Sequence, residues 1–312
     1  MKIVFMGTPD FAAAALKSLI DAGHEIVLVV TQPDKPKGRS GQLQTSPVKD
    51  VAVDAGIPVF QPAKIRLPEE VAELKKYDAD VFIVAAFGQI LSQEILDMPK
   101  YGCLNIHASL LPKYRGAAPI QYVIVNGEEK TGITIQQMNA GIDTGDILYT
   151  VETDIAEDET FETLHDRLTE LGAKAITDML PLLEQGKIVP VPQNDADSCY
   201  VKIIRKEQGH IDFSQSAITI ERLVRGLNPW PSAFTFCNGK QMKVWVAKAI
   251  EDGSSAAAEE CGTVVAVAKD SIDVQTSSGV LRIYELQLEG KKRMTTQAFL
   301  LGMKLPVGTK LG

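Results

Sequence analysis

Short apolar runs alternate with helical stretches through the first hundred residues, and this rhythm constrains the chain more than any other feature. Lys2 to Met6 and Glu25 to Thr31 read as buried strands, separated by a helix from about Pro9 to Ala22 with its proline in the first turn. Pro47 to Ala55 and Pro68 to Lys76 read as helices, Ile57 to Phe60 as a short strand, and Val81 to Ala86 as a wholly apolar strand. Strands spaced by helices in this way require crossover connections, so the expected class is α/β with a mainly parallel sheet. A nicotinamide-dependent dehydrogenase is the natural competitor. It is set aside because Gly7-Thr-Pro-Asp10 carries no G-x-G-x-x-G and no phosphate cradle follows.

The strand Tyr101 to His107 introduces the chemistry. Side chains alternate faces along a strand, so Asn105 and His107 point one way while Leu104 and Ile106 point back. Taken alone, a histidine beside an asparagine at a strand end reads as polar closure of the sheet. A second element changes that reading: Asn139-Ala-Gly-Ile-Asp143-Thr-Gly-Asp146 is a glycine-bracketed carboxylate between the strand-like runs Thr131 to Met138 and Ile147 to Thr153. An amide and an imidazole can donate to a carbonyl oxygen that is becoming an oxyanion, and an aspartate can orient the imidazole. This is acyl-transfer equipment without a nucleophile.

Asn105, His107 and Asp143, together with Ser109-Leu-Leu-Pro112, Gly141-Ile-Asp-Thr-Gly145, Met6-Gly-Thr-Pro-Asp-Phe11 and Arg115-Gly-Ala-Ala-Pro119, resemble the motifs of the 10-formyltetrahydrofolate-dependent formyltransferases. The resemblance runs over nearly the whole chain. It implies a Rossmann-like N-terminal formyltransferase domain and a C-terminal OB-like β-barrel, with 10-formyltetrahydrofolate as formyl donor and no metal. It also implies roles: Asn105 donating to the formyl oxygen, His107 stabilising the tetrahedral intermediate, Asp143 orienting His107. Phe87 and Gly88 would help line the folate pocket, with Ser109, Leu110, Leu111 and Pro112 forming a binding segment. The acceptor implied is the free amino group of methionyl initiator tRNA, in translation initiation. Other formyl-folate enzymes would share the same three residues: those acting on glycinamide ribonucleotide or sugar amines, and a hydrolase using water. Only the acceptor-facing parts discriminate among them.

Two such parts stand out. Residues 32 to 46 form a long polar loop in which Lys35, Lys37 and Arg39 stand between prolines and glycines, and these three are the candidate tRNA contacts. A merely solvated loop is an equal reading of that composition. After the amphipathic helix Thr160 to Gln185, the proline-rich stretch from Val189 to Asp197 reads as a linker. The expected organisation is a catalytic domain over 1–189, a linker over 190–207 and a barrel over 208–312. The barrel is read from five β-like runs, Ala233 to Cys237, Gln241 to Ala249, Gly262 to Ala268, Ser271 to Thr276 and Val280 to Leu288, preceded by a helix over Ile218 to Leu227 and followed by one over Thr295 to Leu301. Such barrels often bind nucleic acid. A noncatalytic nucleic-acid module would use the barrel but leave residues 105, 107 and 143 idle.

The net charge of −8 weighs against a polyanionic partner, but it is unevenly spread. Residues 205 to 312 carry 14 Lys and Arg against 11 Asp and Glu, whereas residues 1 to 204 carry 18 against 29. A basic surface would therefore be local. Cys103, Cys199, Cys237 and Cys261 form no C-x-x-C pair, and the four histidines are dispersed, so neither a zinc site nor a disulfide framework is expected. The apolar start is cut short by Gly7 and Pro9, too soon for a signal peptide or membrane span. A cytosolic monomer is the expectation.

Overall fold

The computed structural model describes residues 1–37, 42–250 and 260–312. They form two compact units: Met1–Pro119, Lys130–Asp154 and His165–Val201 in the first, and Ile120–Glu129, Ile155–Leu164 and Lys202–Gly312 in the second. The strands are β1 (Lys2–Gly7), β2 (Glu25–Val30), β3 (Lys35–Lys37), β4 (Gln42–Gln44), β5 (Val59–Phe60), β6 (Val81–Ala85), β7 (Cys103–His107), β8 (Arg115–Gly116), β9 (Lys130–Gln137), β10 (Ile147–Asp154), β11 (Tyr200–Val201), β12 (Ala233–Cys237), β13 (Lys240–Ile250), β14 (Val264–Val267), β15 (Ile272–Gln275), β16 (Val280–Leu288) and β17 (Met294–Thr295). The helices are α1 (Asp10–Asp21), α2 (Pro47–Asp54), α3 (Pro68–Leu74), α4 (Gln93–Leu96), α5 (Pro119–Val125), α6 (Phe161–Glu184), α7 (Ala217–Gly226) and α8 (Thr296–Gly302).

The first unit is built on a seven-stranded sheet ordered β10-β9-β7-β6-β1-β2-β5. From β5 to β7 the pairs are parallel, and β9 and β10 then add antiparallel strands. All five residues of β6 are buried, which is why this strand is apolar throughout rather than alternating. Each large aliphatic side chain so buried contributes about 1.5–3 kcal/mol. Within this unit α6 buries Leu168, Ala175, Ile176, Met179 and Leu180 at helical spacing. Its Gly172 comes so close to Ile106, Ile133 and Phe11 that an added Cβ would lie 3.3–3.4 Å from their side chains.

Residues 32–46, expected as an irregular loop, contain a two-stranded ribbon in which Lys35 pairs with Gln44 and Lys37 with Gln42. Its base is anchored where Asp34 accepts from Lys49 Nζ at 2.6 Å and Gln61 Nε2 at 2.8 Å. The hydrogen bond from Lys49 is the first cause holding the Asp34 carboxyl below the usual carboxylate range. Alpha helix α2 begins just beyond, with Pro47 in its first turn and Ser46 accepting from the Lys49 amide.

The second unit is an antiparallel sheet ordered β12-β13-β16-β15-β14, with β17 added on β16. Its edges are joined by residues 309–312: Gly312 donates to the Phe236 carbonyl of β12, and the Val264 amide of β14 donates to the Thr309 carbonyl. Bridges from Cys237 to Leu311 and from Thr263 to Lys310 complete the closure, so among the described residues no long edge stays open. Met242, Val244, Ile272, Val274, Leu281 and Ile283 fill its interior, with Ile220 and Val224 of α7.

The boundaries differ from a division at 189 and 208. Residues 120–129 and 155–164 group with the C-terminal residues because the Ile155 amide donates to Glu129, Arg225 donates to the Glu159 carbonyl at 2.9 Å, and Gln208 donates to the Tyr122 hydroxyl at 2.9 Å. Residues 190–201 belong to the first unit rather than to a free linker. Val191 pairs with Ile147, and Tyr200 and Val201 pair with Arg115 and Gly116.

Candidate active site

Strand β7 presents Asn105 and His107 on one face, as the alternation requires, and β9 lies beside it with Gln136 opposite Asn105 and Thr134 opposite His107. The loop after β9 returns Asp143 to this face. Asp143 Oδ1 accepts from Asn105 Nδ2 at 3.3 Å and from Gln136 Nε2 at 2.8 Å, while Oδ2 accepts from the Gly116 amide at 2.8 Å. His107 Nδ1 stands 3.7 Å from Oδ2. The three residues singled out in the sequence thus meet at one point.

The tautomer of His107 follows from its other contact. Nε2 lies 2.9 Å from the Tyr114 carbonyl oxygen, which can only accept, so Nε2 carries the proton. A second proton, on Nδ1, would face the Asp143 carboxylate. Asn105 has one amide hydrogen on Asp143, and the other has no partner among the described residues. It is available to an incoming carbonyl oxygen.

The Asp143 loop is unusually tight. Asp143 itself has φ +53°, a left-handed conformation that costs a non-glycine residue on the order of 1 kcal/mol or more. Gly145 is required by close approach, since a Cβ there would sit 1.7 Å from the Gln137 carbonyl oxygen. Gly116 combines φ +108° with a Cβ position 2.3 Å from the Val201 oxygen, so its amide reaches the carboxylate only because it has no side chain.

The residues expected to hold folate divide by burial. Phe87 is 2% exposed, packed in the core with Val84 and Leu91, and its carbonyl accepts from Thr8 and Gln32. Ser109 is fully buried and its hydroxyl donates to the Lys113 carbonyl at 2.8 Å. Thr134 braces the turn by donating to the Ser109 carbonyl and accepting from the Leu111 amide, and Leu111 is buried too. Gly88 is exposed, and Leu110 and Pro112 are half-buried. Lys35 is exposed on the ribbon, Lys37 ends β3, and Arg39 lies outside the described residues.

Gln136, Thr134, Gly116, Arg115 and Gln193 join the site without having been expected in it. The first two were legible: in Ile133-Thr-Ile-Gln136 the polar residues alternate with isoleucines, which puts them on one face of a strand. Among the described residues no group of His, Cys, Asp and Glu is arranged to hold a metal, and no helix is long and apolar enough to cross a membrane. A cavity of about 760 Å³ lies wholly in the second unit, lined by Glu128, Glu221, Arg222, Arg225 and Lys248, and it includes none of these site residues.

Known proteins resemble the chain over nearly its whole length. Residues 1–180 match the formyl transferase family and residues 203–304 match the formyl transferase C-terminal domain. The chain is 51% identical over 309 residues to the methionyl-tRNA formyltransferase of Agathobacter rectalis, covering 99% of both chains. It is 49% identical over 312 residues to the methionyl-tRNA formyltransferase of Clostridioides difficile, covering all of both. Among solved structures, the N-formyltransferase of Helicobacter canadensis with folinic acid and dTDP-3-aminofucose shares the fold at TM-score 0.67 and 18% identity, over 94% of this chain and 100% of that one. HypX of Aquifex aeolicus in complex with tetrahydrofolic acid matches at TM-score 0.63 and 19% identity, over 96% of this chain but 47% of HypX. The chain belongs to the formyl transferase family and, within it, to the methionyl-tRNA formyltransferases.

Proposed function

We propose that this chain transfers the formyl group of 10-formyltetrahydrofolate to the free amino group of methionyl initiator tRNA, in translation initiation. The observation that carries the acceptor is identity of about half to methionyl-tRNA formyltransferases over the full length. The chemistry is supported by the Asn105, His107 and Asp143 cluster, which lacks a nucleophile because none is needed. The amine nitrogen attacks the formyl carbon, the carbon–N10 bond breaks, and one proton passes from the amine to the departing folate nitrogen. Asn105 donates its unshared hydrogen to the oxyanion of the tetrahedral intermediate. His107 serves as donor or acid through Nδ1, the ring nitrogen that the Tyr114 carbonyl leaves open, with the Asp143 carboxylate 3.7 Å away to favour a proton there. Folate would rest against Gly88, Leu110 and Pro112, over the buried support of Phe87, Ser109 and Leu111.

Formylation assayed side by side with methionyl initiator tRNA, free methionine and a nucleotide-sugar amine tests the acceptor. Preference for a small amine would overturn it. A cytosolic setting and a monomeric state belong to the same proposal, and sedimentation of the purified chain tests the latter.

Lys35, Lys37 and Arg39 are proposed as phosphate contacts for the tRNA. Strand β2, which leads to the ribbon, runs parallel to β7 in the sheet, so both strands end at the same edge. Changing all three to Ala is expected to weaken tRNA binding and flatten its salt dependence by about 2 to 3 in logarithmic slope, with folate binding and melting temperature unchanged. The measurement is tRNA kinetics at several salt concentrations. An unchanged slope would leave the ribbon a solvated one.

A further inference from the structure

Arg115 is the largest fully buried side chain among the described residues, only 1% exposed, and the proposed chemistry does not use it. A guanidinium removed from water must have its donors paired. Here they converge on the 190–201 segment: Nε and one terminal nitrogen donate to Gln193 Oε1 at 3.0 and 2.9 Å, the same nitrogen reaches Asp195 Oδ1 at 2.9 Å, and the other donates to the Tyr200 hydroxyl at 3.2 Å. Two donors on one oxygen fix the Gln193 amide. Arginine only donates, so the amide oxygen must face it and the amide nitrogen must point away.

That nitrogen donates to the carbonyls of Asp143, at 2.9 Å, and Gly145, at 2.6 Å. One amide therefore clasps both sides of Thr144 and holds the backbone that puts Asp143 at its left-handed φ. The neighbour of the arginine completes the grip, because the Gly116 amide donates to Asp143 Oδ2. Main chain and carboxylate of Asp143 are thus both set from Arg115 and Gly116, the former through Gln193.

We propose that Gln193, backed by the buried Arg115, is a positioning residue for formyl transfer, fixing the Asp143 carboxylate opposite His107. This inference rests on the function proposed above. A displacement of about 1 Å at such a group costs on the order of a hundredfold in rate. A merely structural role, tying residues 190–201 to the first unit, predicts something different. Gln193→Glu separates the two: it keeps acceptor oxygens for Arg115 but removes both hydrogens from the carbonyls of Asp143 and Gly145.

Q193E and Q193A are expected to lower kcat by roughly 10- to 100-fold, leave the KM of both substrates within about twofold, and keep the parent's circular dichroism. In protein with 13Cε1-labelled histidine, the His107 resonance should shift while those of His24, His165 and His210 stay in place. Should Q193A fail to fold, Q193E decides alone. Parent-like kcat in Q193E, a loss confined to KM, or an unmoved His107 resonance would each overturn the inference. If the parent itself transfers no formyl group, the proposed function fails, and the His107 resonance still decides the positioning role.

Discussion

Replacing His107 or Asn105 with Ala should each lower formyl transfer by roughly two to four orders of magnitude while the fold persists. Each change removes a group whose interaction is strongest when charge develops on the formyl oxygen or the attacking nitrogen, so the loss falls on kcat. Stability should change far less. His107 donates to the Tyr114 carbonyl, and losing that bond costs about 1 kcal/mol; Asn105 is half-buried with one bond to Asp143 and costs no more. Turnover measured beside circular dichroism and a thermal melt distinguishes the two effects. Activity within a few-fold of the parent would remove either residue from the mechanism.

Much of this site could be read from the sequence because it follows period-two logic. Asn105 and His107 share a face, and their strand ends at the same sheet edge as the other parallel strands. Local bonding chemistry beyond that periodicity was not legible. The 190–201 segment reads as a linker because it is proline-rich and polar, yet its polar side chains are what fasten it: Gln193 bonds to Arg115 and to two carbonyls of the Asp143 loop. No apolar spacing announces such an anchor. The barrel's closure by Thr309–Gly312 was hidden for a related reason, since a strand of so few residues has no pattern to detect. The family's motif associates Phe87 with the folate pocket, whereas its side chain, 2% exposed, belongs to the buried core cluster that includes Val84 and Leu91.

Asp143→Asn should be severe in both rate and stability, and the reason lies in the donors around the carboxylate. Oδ1 receives Asn105 and Gln136, and Oδ2 receives the Gly116 amide. An asparagine has only one oxygen to offer. With that oxygen toward Asn105 and Gln136, its amino group opposes the Gly116 N–H; turned over, the amino group opposes both side-chain amides. Gln136 cannot reverse freely to help, because its own oxygen accepts from the Gly145 amide at 3.2 Å. Every arrangement therefore loses at least one bond and sets donor against donor, which should cost about 1–3 kcal/mol. The rate should fall by about two to four orders, since a neutral amide cannot stabilise an imidazolium on His107. Asp143→Ala supplies the contrast. Its side chain introduces no wrong donor, and at 15% side-chain exposure the position is near enough to solvent for water to meet the vacated donors. D143N should thus melt no higher than D143A despite its closer shape. A D143N variant with the parent's melting temperature, turnover and pH profile would show that neither the charge nor the acceptor pair of Asp143 matters.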